Sequence, residues 1–188
     1  MARCEKDIRN RYGEYFQLAK SDKVSDHEFI YLKPGNGAHK SYKFGRVLVE
    51  FTTIGQMGKL VVRQPIAAPT DYALLIFADN FVKPIVRFDA EGPVHKNEAD
   101  LDKQLPERRI ELPHFHYYDK RGFELAYRTS AIEDNESRVL NDINFGLDCF
   151  CREFNIISSA NGRLIVIDQL ELFTPDEPLD VNKGIDFP

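Results

Sequence analysis

No stretch of the chain approaches the roughly 20 consecutive apolar residues needed to span a bilayer. Its opening, MARCEKDIRNRYGEYF, lacks an apolar stretch of signal-peptide length. A cytoplasmic protein with no membrane association is expected. Cysteine is scarce and odd in number, at positions 4, 149 and 151. That implies no disulfide framework and leaves free thiols as the expectation in a reducing compartment. There is no excess of positive charge: 25 Lys and Arg face 30 Asp and Glu, for a formal charge of -5. A global pull toward nucleic acid or anionic lipid is therefore absent, and either partner would need a local basic patch. Nor is there an internal repeat, or a linker that would split the chain.

What the chain does contain is an ordinary globular mixture. Apolar residues at 43% are too many for a disordered chain. A length of 188 residues suits one self-sufficient core. One domain over residues 1–175 is expected, followed by a tail over 176–188, PDEPLDVNKGIDFP lying largely within it.

Between Glu5 and Lys20, apolar residues Ile8, Tyr12, Tyr15, Phe16 and Ala19 recur at helical spacing and predict an amphipathic first helix. From Glu28 the texture changes to short runs rich in β-branched and aromatic residues: EFIYLKP, FGRVLVEFTT, KLVVRQ, DYALLIFA and KPIVRFD. The links between them are too short for parallel crossovers, so antiparallel pairing follows. Next comes a long charged connection, AEGPVHKNEADLDKQLPERRIELP, and then HFHYYD and FELAYRT as a further hairpin. Ser130 and Glu133 stand at capping-box spacing. They precede Val139, Ile143, Leu147, Phe150, Cys151 and Phe154 on one face of a second helix, and NGRLIVIDQLELFT predicts a last strand. The expected fold is α+β: a twisted, mainly antiparallel sheet of about six or seven strands with an N-terminal and a C-terminal helix packed on it.

Three motifs resemble chemistry without carrying it. PGNGAHKS, residues 34 to 41, approaches the phosphate-binding pattern GxxxxGKS, but Pro34 and His39 occupy its two glycine positions and a strand follows it instead of a helix. Cys149 and Cys151 are two apart on a predicted helix and so point about 200° from each other, which prevents a shared tetrahedral ion. Arg108 and Arg109 in KQLPERR have acidic neighbours and read as a solvated loop face.

ELPHFHYYD, residues 111 to 119, is different. Alternation along a strand puts His114, His116 and Tyr118 on one face and Phe115 and Tyr117 on the other. The strand before the long loop behaves alike, with Ile85, Arg87 and Asp89 opposite Val86 and Phe88. His95 and Asn97 lie in the loop between. If the two strands pair, Arg87, Asp89, His95, His114, His116 and Tyr118 could converge. His114, His116 and Asp89 would then serve as catalytic acid–base and orienting groups, with Arg87, His95, Asn97 and Tyr118 as binding residues. Titration near pH 6 to 7 is expected of such imidazoles. The same side chains, His95, His114, His116 and Asp89, could alternatively offer an N3O set to zinc or iron. Against a tight structural zinc stands the cost of ordering the loop around His95, about 1–2 kcal/mol per fixed residue. No cofactor and no metal are therefore expected. The plainest alternative is a solvated sheet face, in which Tyr118 and Arg87 merely stack across strands.

The ordered set VRFDAEGPVHKN, then ELPHFHYYDKRGFELAYRT, then FCREFNII resembles a family of uncharacterised bacterial proteins. In that family an Arg-x-Asp strand end, a His-x-Asn and a Pro-His-x-His precede an Ala-Tyr or Ala-Trp element and a helix ending before Asn-Ile. The likeness covers about the middle and C-terminal two-thirds of the chain. In pattern it is also similar to the TumE-type toxins of bacterial toxin–antitoxin pairs, with a different histidine spacing and a longer insertion before ELPH. By resemblance, Arg87, Asp89, His95, Asn97, His114 and His116 carry over as site positions, although the family brings no established reaction. The expected function is a cytoplasmic bacterial protein of a toxin–antitoxin or defence system, with a His/Arg/Asp site for a phosphate-bearing ligand, a small anion or RNA. The competing expectation is a noncatalytic module whose sheet face binds a partner protein.

Overall fold

The computed structural model describes residues 4–97, 109–160 and 162–168. The expected tail at 176–188, Arg108, and the part of the last expected strand beyond residue 168 lie outside them.

The fold is α+β, as expected. In chain order come helices α1 (Lys6–Asn10) and α2 (Tyr12–Lys20), then strands β1 (Lys23–Ser25), β2 (Phe29–Pro34), β3 (Tyr42–Phe51), β4 (Gln56–Pro65), β5 (Ala73–Ala78) and β6 (Val86–Asp89). The two-residue strands β7 (His95–Lys96) and β8 (Arg109–Ile110) follow, then β9 (His114–Tyr118) and β10 (Glu124–Tyr127). Helices α3 (Ser130–Glu133), α4 (Glu136–Asn141) and α5 (Ile143–Glu153) lead to β11 (Ile156–Ser158) and β12 (Ile165–Asp168).

Ten strands among the described residues form one mainly antiparallel sheet. Its path runs β10-β9-β6-β5-β4-β3, after which β1 and β2 share the far edge of β3. The parallel pairs are β1 with β11 and β2 with β12. β7 and β8 form a separate ribbon. The strands beyond the six or seven expected are mostly two or three residues long, too short for alternation to stand out in a sequence. After PGNGAHKS a strand does follow; its middle is a single 3-10 turn, Gly37–His39.

Alternation sorts the side chains cleanly. The register Gly45–Val62–Leu74–Phe88–Phe115–Tyr127 runs along the inner face from β3 to β10. Against that face lie Tyr15 and Leu18 of α2 and Leu147 and Phe150 of α5, in one continuous buried core. Helices from both ends of the chain thus cover the inner face and leave the outer one to other uses.

Both predicted helices are broken, for local reasons. The first divides at Arg11 (φ -119°, ψ 30°). The Arg11 guanidinium lies 4.3 Å from the Phe81 ring centroid and donates to the Asn80 carbonyl at 2.8 Å, so a tertiary contact fixes the interruption. The second divides into three. Asp142 caps α5, its carboxylate accepting from the amides of Asn144 (3.0 Å) and Phe145 (3.1 Å). A short acidic side chain satisfies a new helix start better than it continues an old helix. The expected Ser130/Glu133 capping box is not formed: the N-cap is Thr129, without a side-chain hydrogen bond. Gly146 is required where α5 meets the sheet, because a Cβ there would stand 1.8 Å from the Tyr72 hydroxyl, which donates to the Val139 carbonyl. Among the described residues no helix is long and apolar enough to cross a membrane.

Candidate functional site

β6 and β9 are antiparallel neighbours, with Arg87 opposite His116 and Asp89 opposite His114. All four side chains therefore project from the outer face, and the shared face read from alternation is present. The two imidazoles are not solvated: His114 is 1% exposed and His116 2%, while Arg87 and Asp89 are half-buried. His95 arrives from β7, its ring centroid 5.0 Å from that of His116 and 6.1 Å from that of His114, and those two rings are 4.5 Å apart.

Asp89 Oδ2 lies 3.1 Å from His116 Nε2 and 3.1 Å from Arg87 Nε. Arg87 Nη2 is close to both nitrogens of the His116 ring, at 3.3 Å from Nδ1 and 3.1 Å from Nε2, and 3.5 Å from Glu124 Oε1. The guanidinium thus sits over the imidazole with a carboxylate on each side. Glu124 had no motif to announce it; its place on β10 beside β9 brings it in, and only strand order reveals that.

The His114 tautomer follows from its partner. Nδ1 is 3.0 Å from the Glu111 carbonyl, which can only accept, so Nδ1 carries the proton and Nε2 keeps its lone pair. Burial lowers the pKa of all three histidines, most at His116, pushed down to about 4. They are neutral near pH 7. At Asp89 burial pushes the other way, but the hydrogen bond from His116 and the charge of Arg87 prevail and hold the carboxyl below its ordinary range. Burial raises that of Glu124. The expected titration near pH 6 to 7 therefore moves lower.

The Asn97 amide is engaged by the backbone of β10. Ala126 lies opposite His116 in β10 and turns its N–H and C=O away from β9. The Asn97 amide meets both, donating to Ala126 O at 2.8 Å and accepting from Ala126 N at 2.9 Å. This side chain acts as one more peptide on the sheet edge and anchors the loop two residues after His95. Tyr118 likewise has another engagement. Its ring packs edge-on against Tyr15 at 5.9 Å, and among the described residues its hydroxyl makes no hydrogen bond to the histidines.

Among the described residues, two sets, Asp89/His114/His116 and His95/His116/Glu124, have donor atoms within 4.8 Å of one another and could surround a divalent cation. Both share His116, and the Arg87 charge stands against both of its nitrogens. A cation there would meet a fixed positive charge. Away from the site, Cys149 is buried and Cys151 half-buried, both as free thiols.

No family model, curated protein or solved structure matches the chain.

Proposed function

We propose that the cluster around Arg87 binds a phosphate-bearing ligand and moves a proton on it, in a cytoplasmic bacterial protein of the toxin–antitoxin or defence kind. The observation that carries this reading is the pairing of a guanidinium with neutral imidazoles on one buried strand pair. Arg87 is partly exposed, and its Nη1 has no hydrogen bond among the described residues, so a planar donor group remains for an oxyanion. Opposite Asp89 on the neighbouring strand, His114 Nε2 holds a lone pair at neutral pH, as a general base must. Asp89 fixes His116 and shares Arg87, which orients both. The competing reading, a noncatalytic module, is supported by exposed Leu48 and Met57 on the outer face.

Calorimetric titration with inorganic phosphate separates the two. Arg87→Ala should weaken binding by about 1.5–3 kcal/mol, the scale of a charge-assisted hydrogen bond, and Arg87→Lys should recover part of it. His114→Gln should keep most of the binding and remove any growth arrest caused by expression in a bacterial host. Phosphate binding indifferent to Arg87, in variants that melt like the wild type, would sink this function.

A further inference from the structure

The outer face does not end at the histidines. One cross-strand row runs Lys33–Phe44–Arg63–Ala73–Asp89–His114, from β2 to β9. The next runs Arg46–Val61–Leu75–Arg87–His116. With strands about 4.8 Å apart, Arg63 is about 10 Å of sheet from Asp89, and Arg46 about 14 Å from Arg87. The two regions are one surface.

At its far end this surface is cationic and aromatic, in a protein whose formal charge is -5. The outward residues of β2, β3 and β4 include Lys33, Arg46, Lys59 and Arg63, all exposed, against one carboxylate, Glu50. None of the four cations is in an ion pair with a described residue. Phe29 and Tyr31 stand 37% and 44% exposed with ring centroids 6.2 Å apart, and Phe44 follows on β3. These three rings line a groove of about 860 Å³ with Lys33, Arg46 and Lys59. Lys59 and Arg63 lie over the rings of Phe77 and Tyr42 and, like Lys33 and Arg46, have no carboxylate partner among the described residues, so the positive charge of the patch is not neutralised locally. A flexible polyanion with flat bases needs both, rings for stacking and cations for phosphates.

We infer that this face of β2, β3 and β4 is a platform for single-stranded RNA that leads into the Arg87/His114 cluster. The inference rests on the phosphate reading of that cluster and names its substrate class. RNA is selected over DNA by the chemistry at the cluster. Imidazoles beside a phosphate held by Arg87 can take a proton from a hydroxyl next to the phosphorus, and RNA carries such a nucleophile in its 2′-hydroxyl where DNA has none. Such intramolecular attack gains effective molarities on the order of 10⁵–10⁸ M when well oriented. In the step, O2′ bonds to the adjacent phosphorus and the P–O5′ bond breaks. The proton leaving O2′ passes to His114 Nε2 and from there to O5′. The products are a 2′,3′-cyclic phosphate and a free 5′-hydroxyl, with no other reactant consumed.

The test is fluorescence anisotropy with the full chain and a labelled single-stranded RNA of about 12 nucleotides, with DNA of the same sequence and duplex RNA as comparison arms. Wild type should prefer single strands to duplex. Joint Arg46→Glu and Lys59→Glu substitution should lower affinity at least about tenfold, and the salt slope should flatten by about 0.7 for each phosphate that the protein no longer neutralises. Tyr31→Ala should lower affinity severalfold at an unchanged salt slope. RNA but not DNA should yield the cyclic phosphate, and His114→Gln should bind without yielding it. Duplex bound as well as single strands, or RNA affinity unmoved by these substitutions, overturns the platform. So does a wild-type dimer that Tyr31→Ala dissociates, which would make the face a protein interface. Phosphate titration at Arg87 does not involve the platform residues. A failed platform with intact Arg87-dependent phosphate binding overturns this inference alone, whereas an intact platform with Arg87-independent phosphate binding overturns the reading beneath it.

Discussion

Asp89 and His116, on neighbouring strands, meet at 3.1 Å between Oδ2 and Nε2, with a buried imidazole on one side of the contact and a half-buried carboxylate on the other. Facing His116 are also Arg87, Glu124, His95 and His114, so its protonation would add a positive charge beside an existing one, in a place that water hardly reaches.

That contact predicts a direction of acid sensitivity. The folded His116 pKa, about 4, lies below the ordinary value of 6.5, so the unfolded chain binds the extra proton first. Stability is full above pH 6.5 and falls as pH drops toward 4. Asp89, whose folded pKa is also depressed, adds stability above its unfolded pKa that is lost as pH falls through the folded one. Both signs agree. Melting temperature measured from pH 7 to pH 4 should fall for the wild type, and more steeply than for His116→Gln. Parallel curves would contradict the assignment.

Asn97 provides a test of how the loop is held. Asn97→Ala leaves the N–H and C=O of Ala126 without partners at a buried strand, at a cost of about 1–3 kcal/mol. Asn97→Asp retains the acceptor for Ala126 N–H but sets a carboxylate against Ala126 C=O, and should be no better. In both, urea denaturation should show the loss, and phosphate affinity should drop through displaced His95. Full stability in Asn97→Ala would show that the amide does not anchor the loop.

Lys23 is wholly buried, and its ammonium donates to the carbonyls of Ala19 (3.1 Å), Ser21 (2.7 Å) and Phe154 (3.0 Å). It joins the end of α2 to the segment after α5. Lys23→Met fills the volume but strips three acceptors of their donor, and should destabilise the fold by about 1–3 kcal/mol in chemical denaturation. Because the ligand cluster is at the other end of the sheet path, phosphate binding by the folded fraction should be unchanged.

Metal content reports directly on the charge that Arg87 places at His116. With a guanidinium against both nitrogens of His116, protein purified without added metal should contain far less than one zinc per chain by mass spectrometry. A stoichiometric zinc would show that Arg87 yields to a cation.

The sequence by itself determined which side chains share a face. In VRFD and HFHYY the period of two assigns Arg87 with Asp89, and His114 with His116, whatever the strands later pair with, because alternation is a property of one extended backbone. It likewise marked the apolar stripe that buries Leu147 and Phe150. Asp142 shows the limit of local signals even within one helix: the apolar period from Val139 to Phe154 runs through it without a break, whereas in the structure α5 starts there. Tertiary structure alone decided the rest. Arg87 and His116 are 29 residues apart, and their contact depends on β9 docking beside β6. Glu124 joined the cluster through strand order, Asn97 was diverted to the backbone of Ala126, Tyr118 to Tyr15, and Lys23 to three carbonyls from two helix ends. Each of these outcomes is a competition for partners in three dimensions. A periodic pattern fixes the direction in which a side chain leaves its own backbone, whereas the group it meets is set by chain closure over long separations, where buried polar atoms pair with whatever the packed core brings within reach.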